Sequence, residues 1–203
     1  MNSTLKGKAV AIDDMMDLRG MRVIGHTPCY ISVDIEATGG TPGHYSMYEL
    51  GACVVGRSER FERALTLLPD AGCNTDALRA VGMTKKKLLA RNGTVSPKRA
   101  MREFAEWAKK VAHGDELIFV ANNAPFDWMF VAWYFNEVHV ENPFGHAALD
   151  MKAYYMGLTK SSWRASSLRS MAEFGRVPFE KLPHRAVDDA LIQSKIFSEL
   201  LKR

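Results

Sequence analysis

Two carboxylates stand close together in the stretch YISVDIEATGG, residues 30–40. Tyr30, Ile31, Val33 and Ile35 favour a β-strand, so Asp34 and Glu36 fall at strand positions i and i+2. Side chains two apart on a strand point to the same face, roughly 6–7 Å from each other. Each disfavours ionisation of the other, and a buried charge needs a partner or a metal. The pair is a candidate cation site. The plainer alternative is two solvated acids where the strand runs into the turn TGG.

Two further stretches place acids in comparable positions. VANNAPFDWMF puts Asp127 just after an apolar strand, at the start of a very apolar helix. LPHRAVDDALIQSKIF puts Asp188 and Asp189 on the opening turns of the last helix, with His184 ahead of them. Taken singly, these residues have ordinary roles. An acid in a first turn complements the helix dipole, Asn122 and Asn123 suit a turn, and His184 suits an exposed loop. Together they suggest one chemistry. Hard divalent cations such as Mg²⁺ take oxygen ligands, typically with one or two carboxylates. Two such ions about 3.5–4 Å apart can clamp the attacking and leaving oxygens of an in-line phosphoryl displacement. An imidazole, which ordinarily titrates near ~6.5, can take a proton from the attacking water. On this reading Asp34 and Glu36 share a face because they share a cation, whose charge offsets their repulsion.

The elements that must position these residues follow from periodicity and punctuation. Strands are expected over 29–37, 46–56 and 60–68, with a hairpin turn at Gly56–Arg60. Short helices follow at Thr75–Ala80 and Thr84–Ala90. Ser96 and Pro97 open a longer helix as N-cap and first helical residue, with Phe104, Trp107, Ala108 and Val111 as its apolar stripe. Leu117–Ala121 reads as a central parallel strand, and 126–138 as a buried helix. AALDMKAYYMGL is a short strand or turn leading into a helix. Ser166–Phe174 is a helix stopped by Gly175. The last helix, Ala186–Leu201, has Ala190, Leu191, Ile196, Phe197 and Leu200 as its stripe. Early strands followed by alternating helices and strands imply one α/β domain with a mixed five-stranded sheet flanked by helices.

A chain of 203 residues suits one domain with a sizeable core. Residues 1–28 show no clear period and read as an N-terminal extension with a short helix near 13–18; the domain proper is 29–203. The net charge of +4 permits an anionic partner without demanding one. Cys29, Cys53 and Cys73 are odd in number and widely spaced, which argues against a disulfide framework or structural zinc and for a reducing compartment. No stretch approaches the ~18–20 apolar residues of a membrane span. A soluble, cytoplasmic protein without a membrane partner is expected.

Asp34-Ile35-Glu36-Ala37-Thr38-Gly39, Asn123-Ala124-Pro125-Phe126-Asp127 and His184-Arg185-Ala186-Val187-Asp188-Asp189 resemble, in order, the three exonuclease motifs of the DnaQ-like (DEDDh) 3′–5′ exonucleases. The resemblance spans about residues 29–201 and implies the ribonuclease-H-like fold. It implies that Asp34, Glu36, Asp127 and Asp189 bind two ions of Mg²⁺ or Mn²⁺. It makes His184 the general base, and the family spacing selects Asp189 over Asp188. The activity implied is metal-dependent hydrolysis of terminal phosphodiester bonds at the 3′ ends of single-stranded DNA, RNA or both, releasing nucleoside 5′-monophosphates. Thr38, Gly39, Gly40, Asn123 and Phe126 would contact nucleic acid, although Gly40 stands where the family usually carries an apolar residue. The N-A-x-F-D form is similar to that of proofreading subunits and ribonuclease T and departs from that of oligoribonucleases.

Outside the motifs, Trp163 could stack on a base and Arg164 could follow phosphates; packing is the plain role for the tryptophan. Lys85, Lys86 and Lys87 read as a solvated helix face. A homodimer is compatible with the sequence. One rival is a nucleic-acid-binding or polymerase-associated module with a vestigial site, against which the intact set of four acids and a histidine argues. Another is a phosphatase or ribonuclease-H-type endonuclease, which keeps the acids but does not need His184.

Overall fold

The computed structural model describes residues 28–203; the helix expected near 13–18 lies outside them. Five strands form one sheet: β1 Pro28–Ala37, β2 Met47–Val54, β3 Arg60–Ala64, β4 Glu116–Ala121 and β5 Ala148–Asp150. Their spatial order is β3-β2-β1-β4-β5. The β1–β2 and β2–β3 pairs are antiparallel, and the β1–β4 and β4–β5 pairs are parallel. The helices are α1 Thr75–Ala80, α2 Lys85–Leu89, α3 Pro97–Ala112, α4 Ala124–Glu137, α5 Met151–Thr159, α6 Leu168–Gly175 and α7 Ala186–Leu200, with a 3₁₀ turn at Trp163–Ala165. This is the expected mixed sheet flanked by helices.

Strand alternation assigns the two faces. Cys29, Ile31, Val33 and Ile35 enter the main core, where they join Phe104 and Ala108 of α3 and Phe130, Tyr134 and Phe135 of α4. The opposite face of β1 carries Tyr30, Ser32, Asp34 and Glu36, and α7 lies against it. Tyr30 packs edge-on against Phe197, with ring centroids 5.4 Å apart.

The residues under α7 are small or polar, and this lets the helix come close. The Ser32 hydroxyl donates to the Ala190 carbonyl at 2.9 Å, and the Cys53 thiol meets the same oxygen at 3.3 Å. A Cβ added to Gly51 would sit 2.2 Å from the Val187 nitrogen, so any larger residue would push α7 off the sheet. The close approach brings Asp189 down onto the face that carries Asp34.

Three local expectations differ from what is found. β3 ends at Ala64, because Thr66 N–H turns to the Val95 carbonyl instead of continuing along β2. Gly175 does not stop α6: Arg176 takes the left-handed cap (φ 58°), while Gly175 lets α6 approach α7, where a Cβ would lie 3.1 Å from that of Glu199. Leu191 is only half-buried. The inward face of α7 runs through Ala186, Ala190, Gln193, Ser194, Phe197 and Leu200, and Leu191 lies about 100° away from Ala190 on the helix.

Candidate active site

The parallel ladder between β1 and β4 ends at Ser32–Val120. Beyond that pair, β1 continues to Ala37 on the β2 side alone. The gap left between the strand ends is the cleft. It has a volume of ≈ 280 Å³ and is lined by Asp34, Ile35 and Glu36 of β1, Asn122, Asn123, Phe126 and Asp127 at the start of α4, and Leu182, His184, Asp189 and Gln193. Three chain segments thus meet at the carboxyl ends of parallel strands, where open α/β sheets bind ligands.

Each acid is placed by a specific local feature. Asp127, 4% exposed, accepts the Ile35 N–H at 3.0 Å; the end of the β4 ladder leaves that donor without a strand partner. Asp34 Oδ1 accepts from Gln193 Nε2 at 2.7 Å. Glu36 is near the Tyr48 hydroxyl at 3.4 Å, beside the register shift between Glu36 and Ala37. Asp189, 1% exposed, sits in the first turn of α7. His184 is exposed and takes a left-handed backbone (φ 58°) just before that helix. Ligand atoms of Glu36, His184 and Asp189 all lie within 4.8 Å of one another.

Burial pushes all four carboxyls above their ordinary range. For Asp34 burial is joined by the charges of Asp127, Asp189 and Glu36, against the bond from Gln193. Burial raises Asp127 despite the Ile35 N–H. Glu36 is pushed up to about 7 by burial, then by Asp189 and Glu49. Asp189 is pushed up to about 7 by burial, against the His184 backbone N–H. Four such groups cannot all ionise near neutrality unless a positive charge joins them. Asp189 Oδ1 is buried with no hydrogen-bond partner among the described residues. An oxygen-rich donor set with an orphaned carboxylate oxygen fits a hard divalent cation.

The remaining sequence candidates divide. Asn123, in a left-handed backbone (φ 63°), and Phe126 line the cleft. Thr38 and Gly39 are buried away from it. The Thr38 hydroxyl donates to the Gly72 carbonyl and accepts the Ser46 N–H, and Gly39 abuts the Tyr45 ring. Gly40 is exposed with open space around it. Trp163 and Arg164 lie on the 3₁₀ turn outside the cleft. Trp163 is 54% exposed rather than packed, with Lys152 Nζ 3.8 Å from its ring centroid. Lys85, Lys86 and Lys87 are exposed on α2.

Two site residues have no place among the sequence candidates. Glu49, 6% exposed, pairs with Arg91 at 2.6 Å and accepts the Ala186 N–H at 3.2 Å, anchoring the start of α7. Gln193 follows Asp189 by four residues, so helical spacing from an identified acid could have found it. Glu49 is one of a run of residues on β2, all buried, and no alternation marks it.

Over residues 29–201 the sequence matches the family described as the 3′–5′ exoribonuclease Rv2179c-like domain. The chain belongs to this family. It is also 36% identical over 170 residues to the 3′–5′ DNA exonuclease Cap18 of Escherichia coli, covering 83% of this chain and 89% of that one. Among solved structures, the nuclease domain of 3′hExo, a DEDDh member bound to rAMP, superposes with a TM-score of 0.69 at 14% identity, over 89% of this chain and 94% of that one. Pop2p of S. pombe, in a Mg²⁺- and Mn²⁺-bound form, gives a TM-score of 0.57 at 16% identity, over 86% and 83%. This family member is therefore a 3′–5′ exonuclease with the ribonuclease-H-like fold of the DEDDh enzymes. No helix among its described residues is long and apolar enough to cross a membrane.

Proposed function

We propose that Asp34, Glu36, Asp127 and Asp189 hold two divalent cations, Mg²⁺ or Mn²⁺, and that His184 is the general base for hydrolysis of the 3′-terminal phosphodiester. The observation that carries this reading is the convergence of four carboxyls, all raised by burial, on one cleft where Asp189 Oδ1 has no partner. Pop2p, a protein of the same fold, has been solved with both ions. Bound cations would supply charge stabilisation for the attacking and leaving oxygens. The four acids place those cations, and His184, on the exposed rim, takes a proton from the attacking water as it adds to phosphorus. The products are a nucleoside 5′-monophosphate and a strand one nucleotide shorter.

The substrate is a single-stranded 3′ end. DNA and RNA ends both serve, a reading supported by a family described as exoribonuclease and a Cap18 relative that is a DNA exonuclease. Asn123 and Phe126 line the cleft and contact the terminal nucleotide. Trp163 and Arg164 contact the strand behind it. The Asp150 carboxylate supports this path: it accepts the Ala124 N–H at 3.1 Å and the Lys152 N–H at 3.3 Å, joining the α4 wall of the cleft to the helix that carries Lys152 beneath Trp163. Thr38 and Gly39 act by shaping the loop rather than by touching substrate.

The test is a gel time course on 5′-labelled single-stranded DNA and RNA with Mg²⁺ or Mn²⁺. The label should move down one nucleotide at a time, and a 3′-phosphate should slow the first step. Internal fragments appearing first would contradict the reading.

A further inference from the structure

Helix α7 carries a second polar side chain into the cleft. Gln193 lies four residues after Asp189, on the same helical face, and is 1% exposed. Its Nε2 donates to Asp34 Oδ1 at 2.7 Å, and its Oε1 accepts the Asn122 backbone N–H at 2.8 Å. One amide therefore ties α7 to β1 and to the end of β4, across the point where the ladder between those two strands stops at Ser32–Val120.

The chemistry of the amide suits this place. Gln offers a donor and an acceptor on one rigid plane and carries no charge. A lysine or arginine here would neutralise Asp34 and compete with a cation. A glutamate would add a fifth carboxylate to a crowded cluster and have no donor for Asp34 when ionised. An apolar residue of the same volume would strip a buried partner from both Asp34 and Asn122. Asn122 itself lines the cleft, and its Oδ1 is buried without a partner among the described residues. Fixing its main chain narrows where that oxygen can stand.

We infer that Gln193 is a positioning residue for the cation site: it holds Asp34 by one oxygen, leaves the other for a cation, and fixes Asn122 at the cleft wall. The inference rests on Asp34 being a cation ligand. Groups that hold a ligand in this way set its orientation, and their loss typically costs about 10–100-fold in metal affinity or activity.

The test is calorimetric titration of Mn²⁺ into the full chain for wild type, Asp34→Asn and Gln193→Met, together with the Mn²⁺ concentration that gives half-maximal hydrolysis. Methionine is close to glutamine in shape and removes both hydrogen bonds. Gln193→Met should bind Mn²⁺ about 10–100-fold more weakly, and excess Mn²⁺ should restore much of the rate, which a merely misfolded enzyme would not allow. Should Gln193→Met fail to fold, Gln193→Asn keeps an amide one carbon too short to bridge both partners and should show the same weakening. Mn²⁺ affinity within twofold of wild type in either folded variant overturns the inference, even with Asp34→Asn binding abolished. Wild-type binding by Asp34→Asn would instead remove the cation role of Asp34, and this inference with it.

Discussion

Asp34 and Asp127 are fixed by close partners at the end of the sheet, whereas His184 stands on a loop. The first two have short, directed partners, Gln193 at 2.7 Å and the Ile35 N–H at 3.0 Å, and Asp127 is 4% exposed. His184 is exposed, with a left-handed backbone; its main-chain N–H reaches Asp189 and the helix after it is anchored through Glu49 and the Ala186 N–H, but its imidazole stands at the rim. Glu36 and Asp189 lie between these extremes, close to the histidine. Under the roles proposed above, the difference matches two demands. Cation ligands must be set before substrate arrives, because an Å of error in a charge cluster is costly. A general base needs its final geometry only in the substrate complex, and a rim position allows that adjustment.

The largest effect should come from the sheet side. Asp127→Asn keeps an oxygen for the Ile35 N–H but removes a charge, so hydrolysis should nearly vanish at any Mg²⁺ concentration. The metal-free protein should melt at a higher temperature, because a buried carboxyl raised by desolvation opposes folding. A metal-free melting point below wild type would break this half of the comparison.

On the loop side, His184→Ala should lower the rate about 10²–10⁴-fold, the usual range for a lost general base, with an unchanged metal-free melting point. Full retention of rate would make the histidine a bystander and move proton transfer elsewhere.

The pH dependence of stability should come next in size. Folded Glu36 and Asp189 titrate near 7, above their ordinary values, and Asp34 and Asp127 are raised as well. The folded state then binds protons more tightly than the unfolded chain. The stabilising effect is complete below about 4 and is lost as pH rises through about 7 for Glu36 and Asp189 and about 8 for Asp127. Metal-free melting temperatures should therefore fall between pH 5 and pH 8, and Mg²⁺ should flatten the fall. A flat metal-free profile would contradict the shared burial of the four acids. The smallest effect belongs to Tyr48→Phe. Its 3.4 Å contact with Glu36 is long, and losing a net ~0.5–1.5 kcal/mol should cost no more than about tenfold in rate.

The acids and their order along the chain were legible because strand alternation and helix starts are local properties. Asp34 and Glu36 share a face by the pleat alone, and Asp127 follows β4 directly. What the sequence hid is long-range. Ser32, Gly51 and Cys53 read as undistinguished strand residues, yet they let α7 settle on the sheet. Thr38 sits inside a motif but its bonds run to Gly72 and Ser46, partners set by the loop's closure. Gly175 looked like a helix stop and is instead a contact with α7. Gln193 stands at helical spacing from Asp189, but its role exists only once three elements meet.

The division between a fixed cation site and an adjustable base is tested most directly by Mn²⁺ calorimetry on wild type, Asp127→Asn and His184→Ala. His184 lies within 4.8 Å of Glu36 and Asp189, close enough to serve as a ligand itself. The account predicts that His184→Ala binds two ions with nearly wild-type affinity while Asp127→Asn loses at least one. Loss of an ion in His184→Ala, or wild-type binding in Asp127→Asn, would contradict it.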